Sequence, residues 1–258
     1  MDLALKGKVV LITGASRGIG AGIAQAFAAE GSKLAICART EEPLLQAKKQ
    51  LEESGAEVLA IPADISKPEH ASLLVDQTVS HFGRLDVLVN NAGGNRRGNF
   101  EETSDDDWEE ILNLNLKAHI RVSRGAIPEI KKQNAGAIIF ISSIFGREAG
   151  GKGLSIYNTT KAGMNSLSKI MAMELAADKI RVNAVAPGSI RFPGGSWDRR
   201  CIADPEGMAE FIKREMPLGR FGTVEEVANV VTFLASERAS LVTGTCINVD
   251  GCQSRSLI

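Results

Sequence analysis

The stretch Val9-Val10-Leu11-Ile12-Thr13-Gly14-Ala15-Ser16-Arg17-Gly18-Ile19-Gly20 decides the fold. A short apolar run of β-forming residues leads directly into a glycine-rich turn, and residues 21–30 then have helical periodicity. Glycines in such a turn let the backbone approach a pyrophosphate, whose charge suits the free amides of a helix N-terminus. Strand, turn and helix stand in the order that a dinucleotide site requires, which a glycine-rich run alone would not indicate.

The rest of the chain repeats this alternation of strand and helix. Apolar runs predict strands at 9–12, 34–38, 58–61, 87–89, 137–141, 182–185 and 246–249, and helical periodicity appears near 19–30, 42–54, 68–82, 107–133, 156–177 and 224–235. The strands are continuously apolar, which is typical when helices cover both faces of a sheet. We therefore predict an α/β fold with a Rossmann-like, doubly wound parallel sheet of about seven strands, forming one domain over residues 1–258.

One segment departs from this rhythm. Residues 188–222 are rich in Gly, Pro, Arg and aromatic residues and follow the predicted sixth strand. Open α/β sheets bind ligands beyond the carboxyl ends of their strands, so the segment is predicted to be a substrate lid. The alternative is a surface loop without a role.

Composition and charge exclude several classes of protein. The 258 residues include 30 Lys and Arg against 31 Asp and Glu, and a net charge of −1 is not typical of a chain that wraps nucleic acid or coats an anionic membrane. The four cysteines form no C-x-x-C, which favours reduced thiols. The start of the chain lacks the order of a secretory signal, and no apolar run reaches the about 18 residues of a membrane span. We expect a cytoplasmic protein with no nucleic-acid or membrane partner.

Two arginines indicate which dinucleotide would bind. NAD sites usually carry an acidic residue after the second strand, where this chain has Ala38 followed by Arg39. A guanidinium there, together with Arg17 in the glycine turn, could hold a 2′-phosphate through charge-assisted hydrogen bonds, which favours NADP(H) over NAD(H). Two solvated surface arginines are the alternative.

The only tyrosine of the chain stands four residues before a lysine. On the predicted helix 156–177, Tyr157 and Lys161 share one face. A phenol has a pKa of about 10, and a neighbouring ammonium is expected to lower the pKa of Tyr157 and make it an acid/base near neutrality. An ordinary surface pair one turn apart is the alternative.

Two further polar residues accompany this pair. Ser143 follows a β-branched strand, so its hydroxyl is expected at the carboxyl edge of the sheet. Asn115 lies within an apolar stretch of the predicted helix 107–133, where Asn is unfavourable unless a polar role requires it. Taken singly, they read equally well as a capping serine and a hydrogen-bonded core asparagine.

In the order Asn115, Ser143, Tyr157, Lys161, these residues resemble the catalytic tetrad of the short-chain dehydrogenase/reductase family, most nearly its 3-oxoacyl-acyl-carrier-protein reductases. The glycine turn and Asn90-Asn91-Ala92-Gly93 match the same family, and the resemblance runs from about residue 5 to 251. It implies cofactor contacts from Gly14, Ser16, Arg17, Gly18, Ile19, Gly20, Arg39, Asp64, Ile65, Asn91, Ala92, Gly93, Tyr157, Lys161, Pro187, Gly188 and Ile190. Asp64 could instead cap a helix, and the Asn-Asn-Ala-Gly segment could be a simple turn.

The chain departs from the family pattern at two places. Ser143 and Tyr157 are separated by one residue more than the family spacing, so the intervening loop is expected to bulge. Phe192 stands where many members carry a Thr that contacts the nicotinamide carboxamide, which leaves that contact to the backbone of Ile190.

The resemblance implies an NADP(H)-dependent oxidoreductase that interconverts a small-molecule carbonyl and a secondary alcohol. The alternatives are an NAD-dependent alcohol dehydrogenase, a lyase or isomerase that retains its cofactor, and a dinucleotide-binding regulatory or scaffold protein on the same fold. Arginines near the site leave open an anionic or carrier-bound substrate: Arg96, Arg97, Arg147, Arg191, Arg199 and Arg200. We expect no metal site, because the three histidines are widely spaced, and we expect a homotetramer or homodimer, as is common in the family.

Overall fold

The computed structural model describes residues 2–257. Its seven strands form one parallel sheet with the order β3-β2-β1-β4-β5-β6-β7. The strands are β1 (Val9–Thr13), β2 (Lys33–Ala38), β3 (Val58–Pro62), β4 (Val87–Asn90), β5 (Gly136–Ile141), β6 (Ile180–Pro187) and β7 (Cys246–Val249). The predicted fold class and all seven strands are confirmed.

Helices cover both faces of the sheet. They are α1 (Gly18–Ala29), α2 (Glu41–Glu53), α3 (Pro68–Phe82), α4 (Asp105–Leu112), α5 (Ala118–Lys131), α6 (Ser155–Glu174), α7 (Ser196–Ala203), α8 (Pro205–Glu215) and α9 (Val224–Ala235). In β1, Val10 and Ile12 pack against α1, α2 and α9, whereas Val9 and Leu11 pack against α3, α5 and α6. Because successive strand residues point to opposite faces, this double packing requires the continuous apolar runs of the sequence.

The strand order reverses at β1, which lies between β2 and β4. Crossovers on the two sides of this point leave a crevice beyond the carboxyl ends of β1 and β4, where doubly wound sheets bind their ligands. The glycine turn follows β1, and the Asn91–Gly93 segment follows β4. The fold therefore brings two segments 80 residues apart in sequence to one edge of the sheet.

The predicted helix 107–133 is wrong in one respect. A π-helical turn over residues 113–117 separates α4 from α5, with Ala118 N–H bonded to the carbonyl of Asn113. Such turns insert one extra residue into a helix and commonly occur at functional sites. Asn115 lies in this turn.

The segment 188–222 is also more ordered than a loop. It contains α7 and α8, and its two ends are bonded together at the edge of the sheet. Gly222 N–H donates to the Ser189 carbonyl at 3.0 Å, and Arg191 N–H donates to the Gly222 carbonyl at 2.9 Å. The helical pair therefore leaves and rejoins the fold at one place, beside the carboxyl end of β6.

Within residues 2–257, no helix combines the length and apolar character needed to cross a membrane.

Candidate active site

The glycine turn after β1 leaves its backbone open to close contact with neighbouring groups. Gly14 and Gly18 have φ of 69° and 59°, a conformation that L side chains rarely adopt. A Cβ atom on Gly14 would lie 2.8 Å from the Ala92 Cα. Arg17, the N-cap of α1, makes no capping bond with its side chain, so the first amides of α1 remain available to an anion. These features fit a dinucleotide pyrophosphate.

Thr13 and Asn91 lock this turn to the end of β4. The Thr13 hydroxyl accepts from the backbone N–H groups of Asn91 (2.9 Å) and Ala92 (3.1 Å). In return, Nδ2 of Asn91 donates to the carbonyls of Thr13 (2.9 Å) and Gly14 (3.0 Å). The predicted cofactor residue Asn91 therefore braces the turn with its side chain. Thr13 was not predicted from the sequence, although a hydroxyl residue at the end of a strand and directly before a glycine turn could have indicated such a contact.

The residues predicted at the adenosine end lie after β2 and β3. Arg17 and Arg39 are exposed. Burial pushes the pKa of Asp64 upward, but hydrogen bonds from Ser66 and the charges of Arg39 and Lys67 outweigh it and hold this pKa below its usual range. The Asp64 carboxylate thus caps its own turn, accepting from Ser66 N–H at 3.1 Å.

Ile65, predicted to contact the cofactor, has its side chain in the core. A cofactor contact from Ile65 would therefore come from its backbone.

Pro187 ends β6, and Gly188 and Ile190 follow it on the other side of the crevice. The Ile190 side chain is buried against Gly222, so a contact from this residue would come from its backbone, as predicted. The Phe192 ring lies directly over Gly18, where a Cβ would come within 2.7 Å of the ring. The segment 188–222 thus touches the glycine turn through Phe192.

Ser143, Tyr157 and Lys161 meet at the carboxyl ends of β5 and β6. Ser143 hydrogen-bonds to the phenol of Tyr157, so the longer spacing between them does not prevent contact. Nζ of Lys161 lies 5.7 Å from the centre of the Tyr157 ring and donates to the carbonyl of Ile141 at 2.8 Å. Helix α6 places the Tyr–Lys pair one turn apart on the face that covers the strand ends.

Asn115 completes the group from the π-helical turn. Its Nδ2 donates to the Gly94 carbonyl (2.9 Å) and to the Thr160 hydroxyl (3.1 Å), and its Oδ1 accepts from Gly94 N–H (2.8 Å). The side chain is fully buried. Its hydrogen bonds hold α6 and the segment after β4 together, next to Lys161.

Burial sets the titration of this group. It lowers the pKa of Lys161 to about 8. It also raises the pKa of Tyr157 above its ordinary value, and the hydrogen bond from Ser143 offsets only part of this rise. The expectation that Lys161 brings the pKa of Tyr157 below 10 is therefore wrong for this structure, because desolvation of the phenolate dominates.

His119 is a buried polar residue that the sequence analysis did not assign to the site. Its Nε2 lies 2.8 Å from the carbonyl of Ala92. Burial and the charge of Lys161 lower the pKa of His119 to about 3, against a smaller opposing effect of the Ala92 bond. Its signal in the sequence is faint: it stands four residues after Asn115.

The arginines near the site mostly have partners. Arg96 binds Glu110 at 2.8 Å, Arg191 binds Asp198 at 3.0 Å, and Arg200 lies over the Trp197 ring at 4.9 Å. Arg147 donates to the Cys246 carbonyl, and Arg199 donates to the Gly194 carbonyl. Arg96 and Arg191 are thus paired with carboxylates, whereas Arg147, Arg199 and Arg200 are held by backbone carbonyls or an aromatic ring and keep their positive charge.

Among residues 2–257, no three His, Cys, Asp or Glu side chains are grouped so that they could hold a metal ion.

Comparison with known proteins agrees with this geometry. A family model described as enoyl-(acyl carrier protein) reductase matches residues 14–252. The 3-oxoacyl-(acyl-carrier-protein) reductase FabG of Thermotoga maritima is 39% identical over 247 residues, which cover 96% of this chain and 98% of that protein.

Solved structures match over the whole chain. The L-sorbose reductase of Gluconobacter frateurii, in complex with NADPH and L-sorbose, superposes with a TM-score of 0.95 at 36% identity and full coverage of both chains. A 7α-hydroxysteroid dehydrogenase in complex with NADH and 7-oxoglycochenodeoxycholic acid superposes with a TM-score of 0.91 at 30% identity. The match covers 100% of this chain and 98% of the dehydrogenase chain. The chain is an oxidoreductase that belongs to the short-chain dehydrogenase/reductase family.

Proposed function

We propose that this protein is an NADPH-dependent reductase that converts a small-molecule ketone to a secondary alcohol and catalyses the reverse oxidation. One observation carries the proposal: Ser143, Tyr157 and Lys161 converge beside the glycine turn at the carboxyl edge of the sheet. A regulatory protein that only bound a dinucleotide would not need a buried acid/base pair there. Residues 188–222 serve as the lid of this one catalytic domain.

In the proposed reaction, Ser143, Tyr157 and Lys161 have separate roles in proton transfer. When bound, the cofactor supplies the hydride. Tyr157 donates its proton to the carbonyl oxygen, and its raised pKa keeps the phenol protonated at neutral pH. Ser143 hydrogen-bonds to the same oxygen and stabilises the developing alkoxide. The positive charge of Lys161, whose Nζ lies 5.7 Å from the centre of the Tyr157 ring, would stabilise the phenolate that forms when Tyr157 gives up its proton.

Asn115 has a positioning role in this account. Both N–H groups of its side chain are engaged by Gly94 and Thr160, so its amide ties the segment after β4 to α6. This tie keeps Lys161 close to Gly93, where a Cβ would lie 3.8 Å from Nζ of the lysine.

Arg39 and Arg17 are the residues that would select NADPH. Both are exposed and stand at the ends of the two segments that flank the adenosine site. Related proteins bind NADPH in one structure and NADH in another, so cofactor choice must come from residues such as these. A guanidinium binds a phosphate bidentately, whereas NADH offers it only ribose hydroxyls.

Replacement of Arg39 by alanine tests the cofactor proposal. We expect Arg39→Ala to raise the dissociation constant of NADPH about tenfold and to leave that of NADH within about twofold, as measured by cofactor fluorescence. Lys67→Ala is the matched control, because Lys67 is an exposed cation that also acts on Asp64. Equal affinity of the wild-type protein for NADPH and NADH would contradict the assignment.

The paired arginines favour an uncharged substrate of low molecular weight. An anionic group entering the pocket would have to compete with Glu110, Asp198 and the Trp197 ring for its guanidinium partners. A panel that compares L-sorbose, other neutral ketones and acetoacetyl thioesters for NADPH consumption tests this. Preference for the thioester would shift the proposal to a carrier-bound substrate.

Self-association through α5 and α6 is part of the proposal. The α6 side chains of Ile170 and Met173 are 49% and 68% exposed, which is unusual for large apolar residues on a helix packed against the sheet. A second copy of the chain would cover them. Sedimentation velocity would report the dimer or tetramer directly.

A further inference from the structure

His119 is a buried imidazole beneath the candidate site. It lies on α5, four residues after Asn115, so the two side chains leave the same face of the helix one turn apart. The side chain has no solvent exposure and packs edge-to-face with Phe140 at 6.5 Å. No step of the proposed reaction uses it.

The hydrogen bonds of His119 fix its protonation. A carbonyl only accepts, so Nε2 carries the proton that is donated to Ala92 at 2.8 Å. A neutral ring then has a lone pair at Nδ1, which lies 3.2 Å from Oδ1 of the Asn90 carboxamide, itself an acceptor. Rotation of this carboxamide by half a turn presents its NH2 to Nδ1 and its oxygen to the Ser123 hydroxyl, 3.0 Å away. The ring is thereby held from both sides.

Ala92 is the residue on which these contacts converge. Its N–H donates to the Thr13 hydroxyl at 3.1 Å, and its Cα stands so close to Gly14 that a Cβ there would come within 2.8 Å. Ala92 therefore forms the wall against which the glycine turn rests. His119 holds this wall from behind.

The next residues continue the wall towards the catalytic group. A Cβ on Gly93 would lie 3.2 Å from Oδ1 of Asn115 and 3.8 Å from Nζ of Lys161. Gly94 is bonded at both its N–H and its carbonyl to the Asn115 amide. Asn115, in the π-helical turn, therefore holds Gly94, and His119, four residues later on α5, lies against the Ala92 carbonyl. The two side chains contact both ends of the Ala92–Gly94 segment.

We propose that His119 is a positioning residue, which fixes the Ala92 carbonyl and so keeps the Ala92–Gly94 backbone in the register needed to bind the nicotinamide cofactor. The inference rests on the proposed function, because it assigns the cofactor to this wall. It adds a residue outside the Asn–Ser–Tyr–Lys group to the machinery of the site.

A neutral imidazole suits this place better than the alternatives. An apolar side chain would leave the buried Ala92 carbonyl without a donor, which is costly. A lysine or arginine would place a second cation beside Lys161. The imidazole donates one hydrogen bond while burial and Lys161 keep it uncharged.

Replacement of the ring tests the inference. His119→Phe keeps the edge-to-face packing and removes the donor, whereas His119→Gln keeps an N–H at nearly the same reach. We expect His119→Phe to raise both the KM and the dissociation constant of NADPH about tenfold, with kcat at saturating cofactor within about threefold. His119→Gln should restore the affinity to within about threefold of the wild-type value.

Val122→Ala is the control for a loss of stability alone, because Val122 is buried on the same helix one turn away from His119. It should lower the melting temperature and leave NADPH affinity unchanged. Equal NADPH affinity in His119→Phe and wild type, or an equal loss in Val122→Ala, would overturn the inference alone. Wild-type protein that binds neither NADPH nor NADH would overturn the proposed function and this inference with it.

A measurement on the unaltered protein gives a second test, which holds even if His119→Phe does not fold. Nitrogen-15 NMR of the imidazole should show the neutral Nε2–H tautomer at pH 6, with shifts that change when NADPH is added. The Nδ1–H tautomer or an imidazolium at this pH, or shifts indifferent to NADPH, would contradict the role assigned to His119.

Discussion

Three buried side chains show how far their surroundings shift ordinary pKa values. Burial raises the pKa of Tyr157, lowers the pKa of Lys161 to about 8 and, with the charge of Lys161, lowers the pKa of His119 to about 3. In each case the uncharged form gains, because a charge loses its hydration in the interior. The raised pKa of Tyr157 suits the role of proton donor proposed for it in carbonyl reduction.

His119 should also determine how the protein responds to mild acid. Its pKa in the folded state lies below the ordinary value of about 6.5, so unfolding takes up a proton between those values. The contribution of His119 to the free energy of unfolding is therefore fully present above pH 6.5, and it declines as the pH falls towards 3. Between pH 7.5 and pH 5 this residue should reduce the free energy of unfolding by about 2 kcal/mol.

Urea unfolding of wild type and His119→Gln at pH 7.5 and pH 5 checks this expectation. The variant lacks the titrating ring, so its stability should fall less over the same interval. Parallel losses in the two proteins would show that His119 does not set the acid response.

At the residue scale, the sequence predicted the side chains proposed for catalysis but not the buried residues that hold the backbone around them. Tyr157 and Lys161 were predictable because their spacing puts them on one helix face. The Ser143–Tyr157 contact across the loop was expected only from family resemblance. His119 and Thr13 act through backbone partners about 30 and 80 residues away in sequence, and no local pattern marks such pairs.

At the scale of elements, the π-helical turn before α5 is the clearest departure from expectation. Apolar periodicity does not reveal a change from i+4 to i+5 bonding, because the same residue types occur in both. The signal was indirect: Asn113 and Asn115 are unfavourable in a regular helix, and the side chains of both bond to other segments, Asn113 to the Ser66 carbonyl at 2.8 Å and Asn115 to the Thr160 hydroxyl at 3.1 Å.

The segment 188–222, proposed as a substrate lid, is held together by packed aromatic rings. Trp197 on α7 lies 4.9 Å from Phe211 on α8 and 5.3 Å from Phe221 at the base of the segment. Such contacts add to simple burial and hold the two helices together. The composition of the segment did not predict these helices, which are too short to produce a clear periodicity.

Removal of the Trp197 ring should loosen the lid selectively. We expect Trp197→Ala to raise the KM of the ketone substrate about tenfold, with the dissociation constant of NADPH within about twofold. Limited trypsin digestion should cut the variant faster at Arg199 and Arg200. Phe82→Ala, at the opposite end of the sheet, is the control; an unchanged ketone KM in Trp197→Ala would exclude residues 188–222 as a substrate lid.

At the scale of the whole molecule, the sequence predicted a parallel sheet because the continuous apolar runs need helices on both faces. The strand order β3-β2-β1-β4-β5-β6-β7 is a long-range property, which the runs themselves do not encode. This order nevertheless explains the site: it brings the ends of β1, β4, β5 and β6 to one edge, where the glycine turn and the Tyr–Lys pair face each other.

The central claim is that this edge carries out ketone reduction with Tyr157 as the proton donor. Phenylalanine at this position keeps the ring and removes only the hydroxyl, so it separates chemistry from binding. Turnover of Tyr157→Phe, measured as NADPH oxidation with the best ketone of the panel, is the most direct test. The account predicts a loss of about a thousandfold or more in kcat, with the dissociation constant of NADPH within about twofold of wild type. A variant that reduced the ketone within about tenfold of the wild-type rate would contradict it.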